Sequence, residues 1–205
     1  MRKGKEIFSF ENINPDARFW TLKIQNAFDF RKKLGLTDNL NTNCYRLVFA
    51  EGDGLPGLII DYYNGTCVMQ CHSIGMYLVK NKIVEALKEV YGDKLRAVYD
   101  KSAETLPKKF AESVKNEYLF GKGTDEQHLI LENDSAFWAD WKNGQKTGFF
   151  LDQRENRQML ARYCEGKTVL NAFCYTGAFS VYALKAGANE VHSVDSSKRA
   201  IELTE

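Results

Sequence analysis

Residues 168–195 constrain the fold more than any other stretch of the chain. An apolar run at 168–173 leads into the loop Cys174-Tyr-Thr-Gly177, a helix-patterned run at 178–186 is stopped by Gly187, and a second strand-like run at 190–194 ends at Asp195. Parallel strands need a crossover connection, and one of this length and pattern is a helix. The order therefore predicts the start of a doubly wound, Rossmann-like α/β unit. A helix predicted at 152–163, turned by Glu165-Gly-Lys167 into the first strand, extends the alternation upstream, and a further helix begins near Ser197.

In such a unit, ligands bind outside the carboxyl ends of the strands, where a glycine lets them approach the backbone. Gly177 stands at that place. An acid about twenty residues further on can accept hydrogen bonds from both ribose hydroxyls, and Asp195 fits that role. This pattern alone does not separate S-adenosylmethionine from a nicotinamide or flavin nucleotide. The missing Gly-x-Gly-x-x-Gly counts against a dinucleotide, because those glycines make room for a pyrophosphate. A purely structural reading makes Gly177 a tight turn and Asp195 a cap for the helix after Ser196-Ser197.

The upstream sequence reads as a small α+β domain. Asn14-Pro15 supplies an N-cap and a first-turn proline for a helix at 15–35, with Trp20, Ile24, Ala27 and Leu34 at helical spacing. Strands at 45–50, 58–62 and 66–71 suggest an antiparallel meander. One amphipathic helix carries Met76, Val79, Ile83, Leu87 and Val90 and ends at Gly92, before a strand at 96–99. Residues 101–127 read as a solvated loop whose Lys101, Lys108 and Lys109 are candidates for a phosphate backbone. Runs at 128–132 and 136–141 pair across Asn133-Asp134, residues that tolerate the left-handed turn of a tight hairpin. A strand-like run at 5–10 stands alone, without a partner in the preceding sequence.

With 28 basic and 27 acidic residues the chain has no overall field that marks a nucleic-acid binder, so any RNA contact must come from a local patch. The five cysteines form no Cys-x-x-Cys pair and the three histidines are scattered, so no metal site is expected. No apolar stretch is long enough to cross a bilayer and Met1-Arg-Lys-Gly-Lys lacks a signal-peptide core; a cytoplasmic location is expected.

Two long blocks carry a resemblance: Asn143-Gly-Gln-Lys-Thr-Gly-Phe-Phe-Leu-Asp-Gln-Arg-Glu-Asn-Arg157 and Val169-Leu-Asn-Ala-Phe-Cys-Tyr-Thr-Gly-Ala-Phe179. They resemble the class I S-adenosylmethionine-dependent methyltransferases that make 5-methylcytosine in 23S ribosomal RNA. Upstream, Tyr45-Arg-Leu-Val-Phe-Ala-Glu-Gly-Asp-Gly-Leu-Pro-Gly-Leu-Ile-Ile-Asp61 resembles the central domain of the same family. The resemblance implies three regions: 1–14 as a remnant of a PUA domain, 15–141 as a helix plus central α+β domain, and 142–205 as the first part of the methyltransferase domain.

It further implies S-adenosylmethionine as cofactor and ribosomal RNA as partner; a homodimer is one arrangement left open, since the sequence does not fix the oligomeric state. Lys146, Thr147, Phe149, Asp152, Gln153 and Arg154 would close over the methionine end, where a basic group can pair with the carboxylate. Asn171, Phe173, Tyr175, Thr176 and Gly177 would line the cofactor loop, and Asp195 the ribose. Each has a plainer role open to it: Asp152 and Arg154 as decoration of their helix, Phe149 as core.

The family's chemistry adds a cysteine thiolate to carbon 6 of cytosine, so that carbon 5 attacks the methyl group. That cysteine and an Asp-Pro-Pro motif are expected beyond residue 205, since the chain's prolines are Pro15, Pro56 and Pro107 and Cys174 matches a variable loop position. The reading is thus of a fragment, inactive alone, with uncovered apolar faces and a C-terminal part either loosely ordered or paired with another chain. Two further readings compete: a non-catalytic RNA-binding or assembly module on 45–141, which clustered exposed Lys and Arg would favour, and a nucleotide-dependent oxidoreductase, which would bind NAD.

Overall fold

The computed structural model describes residues 15–123 and 128–204; the strand-like run at 5–10 and the PUA remnant at 1–14 lie outside the described residues. Helix α1 (Ala17–Lys33) is capped by Asp16, whose Oδ1 accepts from the Phe19 N–H at 2.9 Å, not by Asn14 as expected. Pro15 therefore lies before the cap, because the Asp16 carboxylate reaches a free first-turn N–H. Arg31, Lys32 and Lys33 fill the last turn, where the helix dipole favours cations.

A five-stranded sheet follows, in the order β1-β2-β3-β4-β5. Strands β1 (Cys44–Phe49), β2 (Leu58–Tyr63) and β3 (Thr66–Cys71) form the expected antiparallel meander. Helices α2 (Ile74–Leu78) and α3 (Lys80–Tyr91) cross over to β4 (Ala97–Asp100), which runs parallel to β3. The single helix expected here is interrupted at Val79, the C-cap of one segment and the N-cap of the next.

The expected solvated loop at 101–127 is a larger departure. It holds a short helix, α4 (Lys108–Ala111), and β5 (Glu117–Gly121), which pairs antiparallel with β4. Lys101 is fully buried and its ammonium donates to the Gly144 carbonyl, so it is no phosphate contact. Burial pushes its pKa down.

Alternation along the strands gives the sheet two buried faces. One face carries Tyr45, Leu47, Ile60, Met69 and Val98 against Trp20, Ile24 and Leu87 of α1 and α3. The other carries Cys44, Tyr63, Val68 and Tyr99 against Ile130, Phe137, Trp141, Phe149 and Tyr182. The second core therefore crosses the expected domain boundary at 141.

The hairpin β6 (His128–Glu132) and β7 (Ser135–Ala139) turns through Asn133 and Asp134, whose φ values of 50° and 59° are those of the tight turn expected. The C-terminal unit then runs through a 3-10 turn (Leu151–Gln153), α5 (Arg154–Ala161), β8 (Thr168–Ala172), α6 (Ala178–Lys185), β9 (Glu190–Val194) and α7 (Lys198–Glu202). Strands β8 and β9 pair parallel, Thr168 opposite Glu190, and complete the Rossmann-like strand-helix-strand start. Apolar side chains on them stay bare, as expected: Leu170 is 68% and Val194 56% exposed.

No described helix is long and apolar enough to cross a membrane, and no group of His, Cys, Asp or Glu among the described residues could hold a metal ion.

Candidate cofactor site

The carboxyl end of β8 opens into a loop whose backbone is left-handed at Phe173, Tyr175 and Gly177 (φ 61°, 49° and 72°). Asp195, at the end of β9, holds this loop: Oδ2 accepts from the Tyr175 N–H at 2.9 Å and Oδ1 from the Ser197 N–H at 2.8 Å. These N–H groups, Ser197 first and then Tyr175, hold its carboxyl below the ordinary value of 3.8. The carboxylate thus ties the loop to the start of α7 and keeps lone pairs for further donors.

Tyr175 reaches back across the cleft. Its hydroxyl accepts from the Gln145 N–H at 3.0 Å, and its ring meets Phe150 edge-on at 5.1 Å. Gly148 sits beside that contact with φ 108°, and a Cβ there would lie 2.7 Å from the Trp141 nitrogen. Asn171 turns the other way: it donates to Ser180 Oγ at 2.8 Å, which in turn meets Ser193 Oγ at 2.7 Å, stitching β8, α6 and β9 together.

Between residues 149–157 and 173–179 lies a cavity of about 250 Å³ lined by Phe149, Phe150, Gln153, Arg157, Phe173, Cys174, Tyr175, Thr176, Ala178 and Phe179. Five expected site residues meet there: Phe149, Gln153, Phe173, Tyr175 and Thr176. Phe149 is also core, packed 5.3 Å from Phe137, and Phe173 is 90% exposed. Thr176 is buried and its hydroxyl has no hydrogen-bond partner among the described residues.

Asp195 and Asn171 hold the loop and its strands as described above, and the remaining five expected residues do not line this cavity. Thr147 is fully buried and donates to Asp61 Oδ2 at 2.6 Å, a carboxylate that also pairs with Arg46. Lys146 is exposed and lines a separate cavity of about 220 Å³ with Arg46, Gln70, His72 and Asp152. Arg154 turns towards β1, with Nε 3.2 Å from Glu132 Oε2 and Nη2 donating to the Cys44 carbonyl; it lines a third cavity. Gly177 stands behind the loop, where a Cβ would press on the Thr204 side chain.

Arg157 was missed. Its side chain is 2% exposed, pairs with both Glu132 oxygens at 2.8 Å, and donates from Nη2 to the Phe150 carbonyl at 3.0 Å. Its guanidinium lies over Phe149 at 4.9 Å and Phe179 at 5.7 Å. The available signal was its spacing from Arg154: residues three apart share a helix face, so one buried carboxylate can face both.

All five cysteines are buried and free. Burial pushes the Cys44 and Cys71 thiols up to about 12, and burial and then Asp195 raise that of Cys174. Thiols raised in this way carry little thiolate, the form that acts as nucleophile.

Comparison with known proteins gives three kinds of match. The sequence model of a family described as S-adenosylmethionine-dependent methyltransferase matches residues 88–204. A protein of Aeromonas hydrophila subsp. hydrophila named ribosomal RNA large subunit methyltransferase I is 41% identical over a 199-residue alignment that covers 91% of this chain and 50% of that protein. Among solved structures, a Streptococcus mutans chain described as a SAM-dependent methyltransferase superposes with a TM-score of 0.83 at 33% identity, over 96% of this chain and 50% of its own. A methyltransferase solved in complex with SAH gives a TM-score of 0.83 at 32% identity, over 96% and 49%. The chain spans about half the length of the curated relatives it matches.

Proposed function

Because this chain belongs to the S-adenosylmethionine-dependent methyltransferase family, we propose that it forms part of an enzyme that methylates large-subunit ribosomal RNA, at carbon 5 of a cytosine in 23S rRNA. The name carried by relatives near 40% identity supports the RNA substrate. The cytosine rests on the two motif blocks around Lys146 and Thr176, and a ribosomal substrate would place the chain in the cytoplasm.

The observation that carries the cofactor reading is the cavity between the 173–177 loop and residues 149–157. Its aromatic walls suit an adenosine and a sulfonium, cations being favoured over ring faces. Its unpartnered Thr176 hydroxyl suits a polar group at one end. Asp195 would take the ribose hydroxyls on its remaining lone pairs while keeping the loop in shape. Phe149, Phe150 and Phe179 would exclude water, which strengthens every polar contact inside. The bound cofactor supplies an electrophilic methyl group. The nucleophilic cysteine of the cytosine reaction is assigned outside these 205 residues, because all five thiols here are buried and Cys174, the one on the cavity, is raised in pKa.

Calorimetric titration of the chain with S-adenosylmethionine, with NAD as control, tests the reading. Binding of the first and not the second is expected, with Asp195→Ala weakening it about tenfold or more, the scale of one charge-assisted contact. Equal binding of NAD would sink it.

A further inference from the structure

The cavity is lined by two groups whose hydrogen-bonding capacity the protein leaves partly unused. Arg157 spends Nε and Nη2 on Glu132 and the Phe150 carbonyl, but Nη1 has no partner among the described residues. The Thr176 hydroxyl, on the same cavity, has none either. Both residues are more than nine-tenths buried, Arg157 at 1% exposure and Thr176 at 7%.

Charge balance points the same way. Glu132 is fully buried and pairs with both Arg154 and Arg157, so one carboxylate faces two guanidiniums. A positive charge is left in a mostly desolvated cluster, a costly arrangement unless an anion joins it. Arg154 has Nη2 on the Cys44 carbonyl and borders a different cavity, whereas Arg157 borders this one. A planar guanidinium clamped on one edge presents its third nitrogen in a fixed direction, the geometry that suits a carboxylate.

We propose that Arg157 Nη1, with the Thr176 hydroxyl, binds the α-carboxylate at the amino-acid end of the cofactor, and that Glu132 is the positioning residue that clamps Arg157 for this contact. The assignment rests on the cofactor reading above and gives the role of basic group for that carboxylate to a residue outside the expected set.

Titration calorimetry with S-adenosylmethionine and with its decarboxylated form, which keeps adenosine, sulfonium and amine, isolates the contact. The unmodified chain should bind the carboxylate-bearing ligand about 10- to 100-fold more tightly, the worth of a buried charge-assisted hydrogen bond. Arg157→Gln should bring that ratio close to one while leaving the decarboxylated ligand within a few-fold. Glu132 keeps Arg154 as partner in this variant, so no carboxylate is stranded. Thr176→Val, which removes one hydroxyl, should lower the ratio by a smaller factor and serves should Arg157→Gln fail to fold. Equal affinity for the two ligands in the unmodified chain, or an unchanged ratio in Arg157→Gln, overturns the carboxylate assignment alone. Failure of both ligands to bind overturns the cofactor reading with it.

Discussion

At Glu132, one carboxylate with no exposed surface carries two arginines and accepts from the Tyr182 hydroxyl at 3.1 Å. Replacing it by alanine strands two guanidiniums in the interior, and breaking a buried pair in this way costs about 3–5 kcal/mol; denaturant unfolding should show a loss of that size. Asp195 is held below 3.8 by backbone N–H donors, so its contribution to loop order is present above that ordinary value and lost as pH falls through the lowered one. NMR shifts of the Tyr175 and Ser197 amides should therefore stay flat from neutral pH to about pH 5 and move only below the ordinary carboxylate range. The thiols are all buried, so the native chain should react with an aromatic disulfide reagent at pH 8 far more slowly than the urea-unfolded chain. The positions of Gly177 in the loop after β8 and of Asp195 at the end of β9 were legible because they follow from a strand-helix-strand repeat. The sequence did not single out Arg157, because which arginine borders the cavity depends on where a hairpin 22 to 25 residues upstream puts Glu132.

Among the elements, those with strong periodicity or turn chemistry were readable: α1, the β1-β2-β3 meander, the Asn133-Asp134 hairpin and the β8-α6-β9 unit. Strand β5 was not, since Tyr118, Leu119 and Phe120 sit among polar neighbours and are only half buried. What makes them a strand is the edge of β4 beside them. Lys101 was misread for a related reason: its burial follows from the Gly144 carbonyl arriving 43 residues later. The segment 144–150 shows how an element without regular structure is held. Gly148 has φ 108°, and a Cβ would also lie 2.7 Å from the Asp140 carbonyl carbon. Gly148→Ala should cost about 1–3 kcal/mol from backbone strain alone. It should also weaken cofactor binding, because the Tyr175 hydroxyl leans on this segment; thermal unfolding and calorimetry read the two effects separately.

Over the whole molecule, one sheet is shared by two sets of partners: α1 and α3 on one face, the hairpin and the C-terminal unit on the other. Asp61 is the polar junction, joined to Arg46 within the sheet and to Thr147, whose hydroxyl also meets Tyr63 at 2.9 Å. Thr147→Val removes a donor from a fully buried carboxylate and should cost about 1–3 kcal/mol. If the sheet and the 144–153 segment open together, hydrogen exchange should quicken in both. The expected boundary at 141 follows composition and motif, whereas the core that crosses it is visible only once Tyr63, Trp141 and Phe149 are seen in contact. The Arg154 to Cys44 contact spans 110 residues, so in kinetic terms it closes one of the longest loops in the chain. Such a closure gains nothing until both ends are fixed. The docking of α5 against β1 should thus come late on refolding, after the hairpin has covered this face of the sheet.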